Sequence, residues 1–478
     1  MEKHCSSSKK YKTLFTDTAA FTISNFASKI LVFLLLPLYT AILSTEEYGI
    51  ADLITNTVNV VYPILTLSIM EATLRFAFDK DVNKEDVLSN SLFVIFISEA
   101  IIVVATPLIR YVSSEMFDYW GWFALIFLGS NIQQVLSQYI KGIGKTKNFA
   151  ISGVIQTVVM IAGNIITLVI LKWRVFGYLF SIAAGYFVAS LYLIVAAKIK
   201  IKRIRINRSL LGEMLQFSIP TIPTIVAWWI STSADKYIII AYLGIAASGV
   251  YSVSYKIPSI LTMFTSLFTS AWTLSAIQNV DEQDNAQFHT VVYQYFNIAN
   301  VLACSALILL SQIFAQILFG KEFYIAWHYV PLLLVAYVFS GLAGFLSGSF
   351  RAAKETKGLF SSTVIGAIVN ILLNFYFIKK FGNMGAAITT MIGFAVTFYI
   401  RSQSVKKIID IKINLIKDSV VYLLLIVQAL TMSLEVTYSY IFGVSIFLII
   451  VILYWKEISQ IIIKINILIK RKILEGKV

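Results

Sequence analysis

Apolar runs of around 20 residues follow one another from Phe15 to Tyr454, parted only by short polar stretches. A helix of about 20 residues rises roughly 30 Å, the thickness of the hydrocarbon core of a bilayer. No water reaches the backbone there, so a crossing segment must be a helix or a strand of a closed barrel. These runs lack the alternation of barrel strands, which excludes the barrel. The expected fold is an all-α polytopic membrane protein with about fourteen transmembrane helices. Composition agrees: the chain is 58% hydrophobic and 13% charged, whereas soluble domains are about 25% charged.

The spans are expected near residues 15–42, 48–72, 88–110, 119–140, 149–171, 176–197, 214–240, 246–272, 291–319, 326–348, 359–378, 384–400, 418–434 and 437–455. Lys9, Lys10 and Lys12 precede the first run as in a signal peptide. That run is too long and lacks a small-residue cleavage site, so a retained span is expected. Cys5 and Cys304 imply no disulfide framework. With both termini in the cytoplasm, the great majority of the 39 Lys and Arg fall on the cytoplasmic side, as the positive-inside rule requires. The net charge of +14 is thus largely an orientation signal, and no nucleic-acid partner is expected. Tracts 198–208 and 456–477 are placed to meet anionic membrane lipids. Trp120, Trp122, Trp173, Trp272, Trp327 and Trp455 fall near span ends, as an interfacial belt does.

An internal repeat emerges when the spans are aligned. Lys141, Thr146, Lys147 and Asn164 recur 210 residues later as Arg351, Thr356, Lys357 and Asn374. Gly177 and Gly185 recur 208 residues later as Gly385 and Gly393. The repeat divides the chain into an N-terminal lobe (1–212, spans 1–6), a C-terminal lobe (213–417, spans 7–12), and two extra spans with a basic tail (418–478). Two six-helix lobes in one orientation, related by a pseudo-two-fold along the membrane normal, are a transporter architecture.

No catalytic chemistry is expected. The segment GIGKT (142–146) would need a glycine where Tyr139 stands to form a phosphate loop, and it lacks a preceding strand. His4, His289 and His328 are scattered, with no HExxH and no metal-ligand spacing. Short outer loops leave little room for a polysaccharide polymerase or ligase.

The informative residues are ionisable ones inside spans, because a charge at the bilayer centre costs at least ~2.5–3.5 kcal/mol. Lys29, Glu99 and Lys256 fall near mid-span. Thr18, Thr22, Asn25 and Lys29 form one helical stripe, and Ser252 and Lys256 stand one turn apart. Trp228, Thr232, Asp235 and Lys236 mark span 7, and Arg75 lies at the inner end of span 2. Two readings stay open. Lys29 and Lys256 either neutralise Glu99 and Asp235 in buried ion pairs or line a pathway; Arg75 either snorkels or takes part. Pro37, Pro220, Pro223 and Pro258 interrupt the same three polar spans, which makes those helices the expected hinges.

The segments FASKILVFLLLPLYTAILSTEEYGIADLI (26–54), KGIGKTKNFA (141–150), FSIPTIPTIVAWWISTSADKYII (217–239) and YLGIAASGVYSVSYKI (242–257) resemble the Wzx-type polysaccharide flippases. These are O-antigen and capsule repeat-unit transporters of the MATE-like multidrug/oligosaccharidyl-lipid/polysaccharide exporter superfamily. The resemblance implies a flippase of the bacterial plasma membrane. It would carry an undecaprenyl-diphosphate-linked oligosaccharide from the cytoplasmic to the outer leaflet by alternating access, without a cofactor. Lys29, Asn25, Lys256, Lys236 and Arg75 are then the expected substrate-binding residues, and Glu99 and Asp235 the ion-coupling ones, for a proton or sodium gradient. Where this family commonly has Asp-Arg, the chain has Asp235 and Lys236, which keeps the charge and loses the bidentate fork. A monomer is expected, with a polysaccharide polymerase complex as the partner to look for. The alternatives are a cation-coupled multidrug exporter of the same superfamily and a membrane polymerase or ligase.

Overall fold

The computed structural model describes residues 33–112, 117–199, 206–278, 285–353, 355, 357–409, 411 and 413–460. Among them the secondary structure is helical throughout. In chain order the helices are α1 (Leu36–Ile42), α2 (Thr45–Leu65), α3 (Ile69–Phe78), α4 (Lys84–Val112), α5 (Trp120–Gly142), α6 (Thr146–Asn164), α7 (Arg174–Ala196), α8 (Arg208–Ser218) and α9 (Ile222–Leu243). They continue as α10 (Ile245–Ser254), α11 (Lys256–Gln278), α12 (Asn285–Leu318), α13 (Val330–Ala352), α14 (Lys357–Phe381), α15 (Asn383–Val405), α16 (Leu415–Ser433) and α17 (Ser439–Leu453).

Nine helical segments among the described residues are long and apolar enough to cross a membrane, or ten if α2 and α3 count as one broken span. The other expected spans that fall on described residues are helices too, and each escapes that test for a visible reason. Helix α5 carries Asn131, Gln133, Gln134, Ser137 and Gln138, whose polarity lowers its hydropathy. Span 8 is cut at Tyr255 into α10 and α11, and α17 has only 15 residues. The span expected at 48–72 is the bent pair: α2 and α3 meet at 63° across Thr66–Ser68. Leu67 and Ser68 are left-handed there, and Pro63, in the last turn of α2, weakens the helix by removing an N–H donor. Helix α2 starts sharply, because the Ser44 hydroxyl accepts from Glu47 N and the Glu47 carboxylate accepts from Ser44 N.

The chain forms two compact units. Among the described residues, the first holds those up to Ala234 with Leu243–Gly249 and Leu318–Glu322; the second holds Asp235–Tyr242, Val250–Ile317 and those from Phe323 on. The first is built around α5, whose Phe123, Phe127, Val135 and Ile140 are buried among α2, α3, α4 and α7. Helix α13 plays that part in the second, with Leu332, Leu333, Leu334, Val335 and Ala336 all fully buried. Consecutive burial means that it faces protein on every side. Other helices leave large apolar side chains bare, such as Ile170 (68% exposed), Val195 (67%) and Leu372 (65%). In water such surface is unfavourable, whereas in hydrocarbon it is the expected exterior.

Within each unit the repeated segments adopt the same local structure. Helices α5, α6 and α7 begin at 120, 146 and 174, and α13, α14 and α15 at 330, 357 and 383. A Cβ on Gly185 would meet the Gln156 carbonyl oxygen and Met160 Cβ at 3.1 and 3.6 Å; one on Gly393 would meet the Gly366 carbonyl oxygen and Asn370 Cβ at 3.2 and 2.9 Å. The contacted positions are again 210 residues apart. Both hairpins are thus packed in one register, with glycine where backbones come closest. The first copy differs in ending as a π-helix, Ile165–Ile170.

Sidedness is open to direct measurement. Ser433, the last residue of α16, is buried, whereas Glu435 two residues on is 59% exposed. Cysteines at Ser44 and Glu435 are expected to react with an impermeant maleimide on intact cells, and cysteines at Ser6 and Lys147 only after permeabilisation. Labelling of Ser6→Cys in intact cells would reverse the orientation.

Candidate functional site

The second unit contains a buried carboxylate whose hydrogen-bond partners among the described residues are hydroxyls and one backbone N–H, with the Lys236 charge acting on it as well. Asp235, on α9, is 3% exposed. Its Oδ2 accepts from Tyr255 Oη at 2.7 Å, Tyr251 Oη at 2.9 Å and Thr390 Oγ1 at 3.2 Å. Its Oδ1 accepts from the Lys236 backbone N at 2.9 Å. The Tyr251 and Tyr255 rings meet edge to face at 5.1 Å, with Tyr329 and Tyr337 beyond them. The Lys236 ammonium lies 5.6 Å from the Tyr255 ring centroid.

Local structure explains the convergence. Tyr251 lies on α10, Tyr255 occupies the break after it, and Pro258 follows in the first turn of α11, where a missing N–H is harmless. The break gives Tyr255 a direction that a continuous helix would deny it. Thr390 arrives on α15, 155 residues further along the chain from Asp235. Helix α15 also carries Thr389, which donates to Asn374 Oδ1, while Asn374 Nδ2 donates to Asn370 Oδ1 at 3.1 Å. The repeat partner Asn164 is equally buried in the first unit; its Nδ2 donates to Tyr39 Oη at 2.8 Å and its Oδ1 has no partner.

The other residues singled out in the sequence are dispersed. Lys256 opens α11, half-buried, and its ammonium makes no ion pair or hydrogen bond among the described residues. It follows Tyr255 directly, yet Asp235 is satisfied by hydroxyls instead. The buried-pair reading therefore fails for Lys256 and Asp235. The break at Tyr255 also separates Lys256 from Ser252, which is buried, so the single polar face expected on span 8 is not continuous. Glu99 sits in the middle of α4 in the first unit, with its Oε2 buried and without a hydrogen-bond partner among the described residues. Arg75 is exposed in the last turn of α3. Lys29 and Asn25, with Thr18 and Thr22, lie outside the described residues. All four prolines proposed as hinges stand just after a break: Pro37 early in α1, Pro220 in the 3-10 turn Ile219–Thr221, Pro223 early in α9, and Pro258 in α11.

Chemically, the Asp235 cluster presents only oxygen donors around one negative charge. Such a set suits a proton or a hard monovalent cation rather than a soft metal, and among the described residues no group of three or more His, Cys, Asp or Glu could hold a metal ion.

Comparison with known proteins supplies the context. Residues 14–273 match the family described as polysaccharide biosynthesis protein. The chain is 24% identical over 181 residues to the probable low-salt glycan biosynthesis flippase Agl15 of Haloferax volcanii, spanning 37% of this chain and 38% of that protein. It is 22% identical over 411 residues to the uncharacterized membrane protein MJ1375 of Methanocaldococcus jannaschii, spanning 80% of this chain and 95% of the relative. Among solved structures, the lipid II flippase MurJ in its inward closed conformation aligns with 92% of this chain and 99% of its own at TM-score 0.69 and 17% identity. An inward-facing multidrug resistance MATE transporter aligns with 82% of this chain and 98% of its own at TM-score 0.60 and 15% identity. At such identities these two likenesses establish the fold alone.

Proposed function

The chain belongs to the polysaccharide biosynthesis protein family, and on that premise we propose that it is a flippase for a lipid-linked glycan, coupled to a cation gradient at Asp235. The observation that carries the coupling is the buried Asp235 carboxylate held by Tyr251, Tyr255 and Thr390 at a helix break. A cation arriving there can displace the rotatable hydroxyls, and helices α9, α10, α11 and α15 would repack as it did so. A proton or sodium ion fits the oxygen-only donors.

The resemblance of the sequence to Wzx-type transporters, and the flippase named among its relatives, favour a polyprenyl-diphosphate-linked oligosaccharide, of which undecaprenyl is the bacterial form. Its diphosphate must be compensated in a low-dielectric region, and Lys256, half-buried and without an ion pair among the described residues, is available to do so, with Lys29 as its expected companion. Transport would run from the cytoplasmic to the outer leaflet of the plasma membrane. The runner-up, export of cationic drugs, is disfavoured because an intramembrane lysine such as Lys256 repels such cargo. Purified protein is expected to be stabilised against thermal unfolding by a polyprenyl-diphosphate sugar and not by ethidium. Stabilisation by ethidium alone would favour the drug exporter.

A further inference from the structure

The two copies of the repeated three-helix element differ at one buried position by a full charge. In the first copy the position is Leu193 on α7, completely buried. Its counterpart 208 residues later is Arg401 on α15, 5% exposed. Arg401 Nε donates to Ser362 Oγ at 3.1 Å; Nη1 donates to the Ala343 carbonyl oxygen and to Ser347 Oγ, both at 2.9 Å; Nη2 donates to the Leu359 carbonyl oxygen at 3.2 Å and Thr363 Oγ1 at 2.8 Å. All five N–H groups are engaged, and every acceptor is neutral.

Among the described residues no carboxylate pairs with Arg401. A guanidinium does not lose its proton in proteins, so the second unit encloses a positive charge that has no counter-ion among the described residues. Burial of such a charge is costly, and the first copy forms the same hairpin with leucine in that place. The fold does not require the charge.

The surroundings indicate what would balance it. Ala343, Ser347 and Arg351 are spaced by four on α13 and share a face. Arg351 thus stands one turn beyond the groups that anchor Arg401, and its charge acts on Arg401. Arg351 is exposed, its guanidinium makes no hydrogen bond or ion pair among the described residues, and Lys357 nearby is exposed too. The local acid, Glu355, accepts from Lys357 N at 3.0 Å and is already committed to that turn. The bias of Lys and Arg in the sequence assigns this end of the unit to the cytoplasmic headgroup layer, where phosphates are abundant.

We propose that the end of the second unit formed by Arg351, Lys357 and Arg401 is a docking site for a phosphate-bearing headgroup. Arg351 is the ligand. Arg401, saturated by its own helices, supplies fixed charge beneath it without touching the phosphate. The same chemistry could come from a membrane phospholipid or from the diphosphate of a polyprenyl-linked cargo. The site does not depend on the flippase reading, since a resident phospholipid would suffice.

Full-length protein in neutral detergent would be titrated with short-chain phosphatidic acid, short-chain polyprenyl diphosphate and short-chain phosphatidylcholine, with binding followed by native mass spectrometry. Arg351→Gln is expected to weaken the anionic ligand by about tenfold or more, the scale of one charged hydrogen-bonded contact, with an unchanged melting temperature in its absence. Arg401→Leu, which copies the first repeat, should weaken it as well, and Arg401→Lys should recover most of the affinity. Preference for phosphatidic acid would identify a resident lipid, and preference for the polyprenyl diphosphate would identify cargo; either supports the site. If Arg401→Leu does not fold, Arg351→Gln decides. Equal affinity of wild type and Arg351→Gln, or phosphatidylcholine bound as well as the anions, would overturn the proposal whether or not the protein flips glycans.

Discussion

Asp235→Asn is expected to leave a folded protein that no longer responds to a proton or sodium gradient. The amide oxygen can still accept from Tyr251 or Tyr255, so the hydroxyl cage keeps part of its hydrogen bonding. The loss of charge assistance should cost about 1–3 kcal/mol of stability. What the amide cannot do is take up a proton or balance a sodium ion, so gradient-driven transport should fall to background. Asp235→Leu is the harsher change. It strips the acceptor from Tyr251, Tyr255 and Thr390 at once, and each orphaned hydroxyl costs about 1–3 kcal/mol, so poor accumulation is expected. Transport by Asp235→Asn that still follows an imposed gradient would remove Asp235 from coupling. The check is initial transport rate in proteoliposomes with and without the gradient, at matched protein content.

The second large effect concerns Lys256. Its ammonium has no partner among the described residues, so its removal orphans no carboxylate. Lys256→Ala should therefore reach normal membrane levels while losing most transport, and Lys256→Arg should retain much of it, because charge rather than shape is needed for a diphosphate. A structural lysine would behave otherwise: losing one partner of a buried pair costs about 3–5 kcal/mol, which would appear as lost protein. Glu99 supplies the control, since its Oε2 is buried without a partner. If adding Glu99→Gln to Lys256→Ala restored transport, the lysine's role would be charge balance and not cargo binding.

These two residues show where sequence reading succeeds and where it stops. Apolar runs report helices because hydrocarbon permits little else, so every expected span on described residues is matched by helix. Breaks were readable only through proline. The four prolines proposed as hinges each open a new helical segment, but the 63° bend between α2 and α3 is set by Leu67 and Ser68 in left-handed conformation after Pro63, and no side-chain pattern announces it. Asp235 stood out as a charge in an apolar run. Its partners did not, because Thr390 lies 155 residues away; the spacing of Tyr251 and Tyr255 by four was the one available hint. In the sequence Arg401 opens a basic stretch with Lys406 and Lys407. Hydropathy cannot distinguish an arginine that snorkels from one enclosed by three helices, and only comparison with Leu193 in the other copy exposes the difference.

The central claim is that this protein moves a lipid-linked glycan between leaflets under a cation gradient. Its most direct test is reconstitution into sealed liposomes with a polyprenyl-diphosphate oligosaccharide placed in one leaflet, and measurement of how fast the sugar becomes accessible to a lectin or glycosidase confined to the other side. Exposure should be fast with wild-type protein and an imposed proton or sodium gradient, and should drop to the protein-free rate with Asp235→Asn or Lys256→Ala. Exposure at the protein-free rate with folded wild-type protein, under either gradient, would contradict the account.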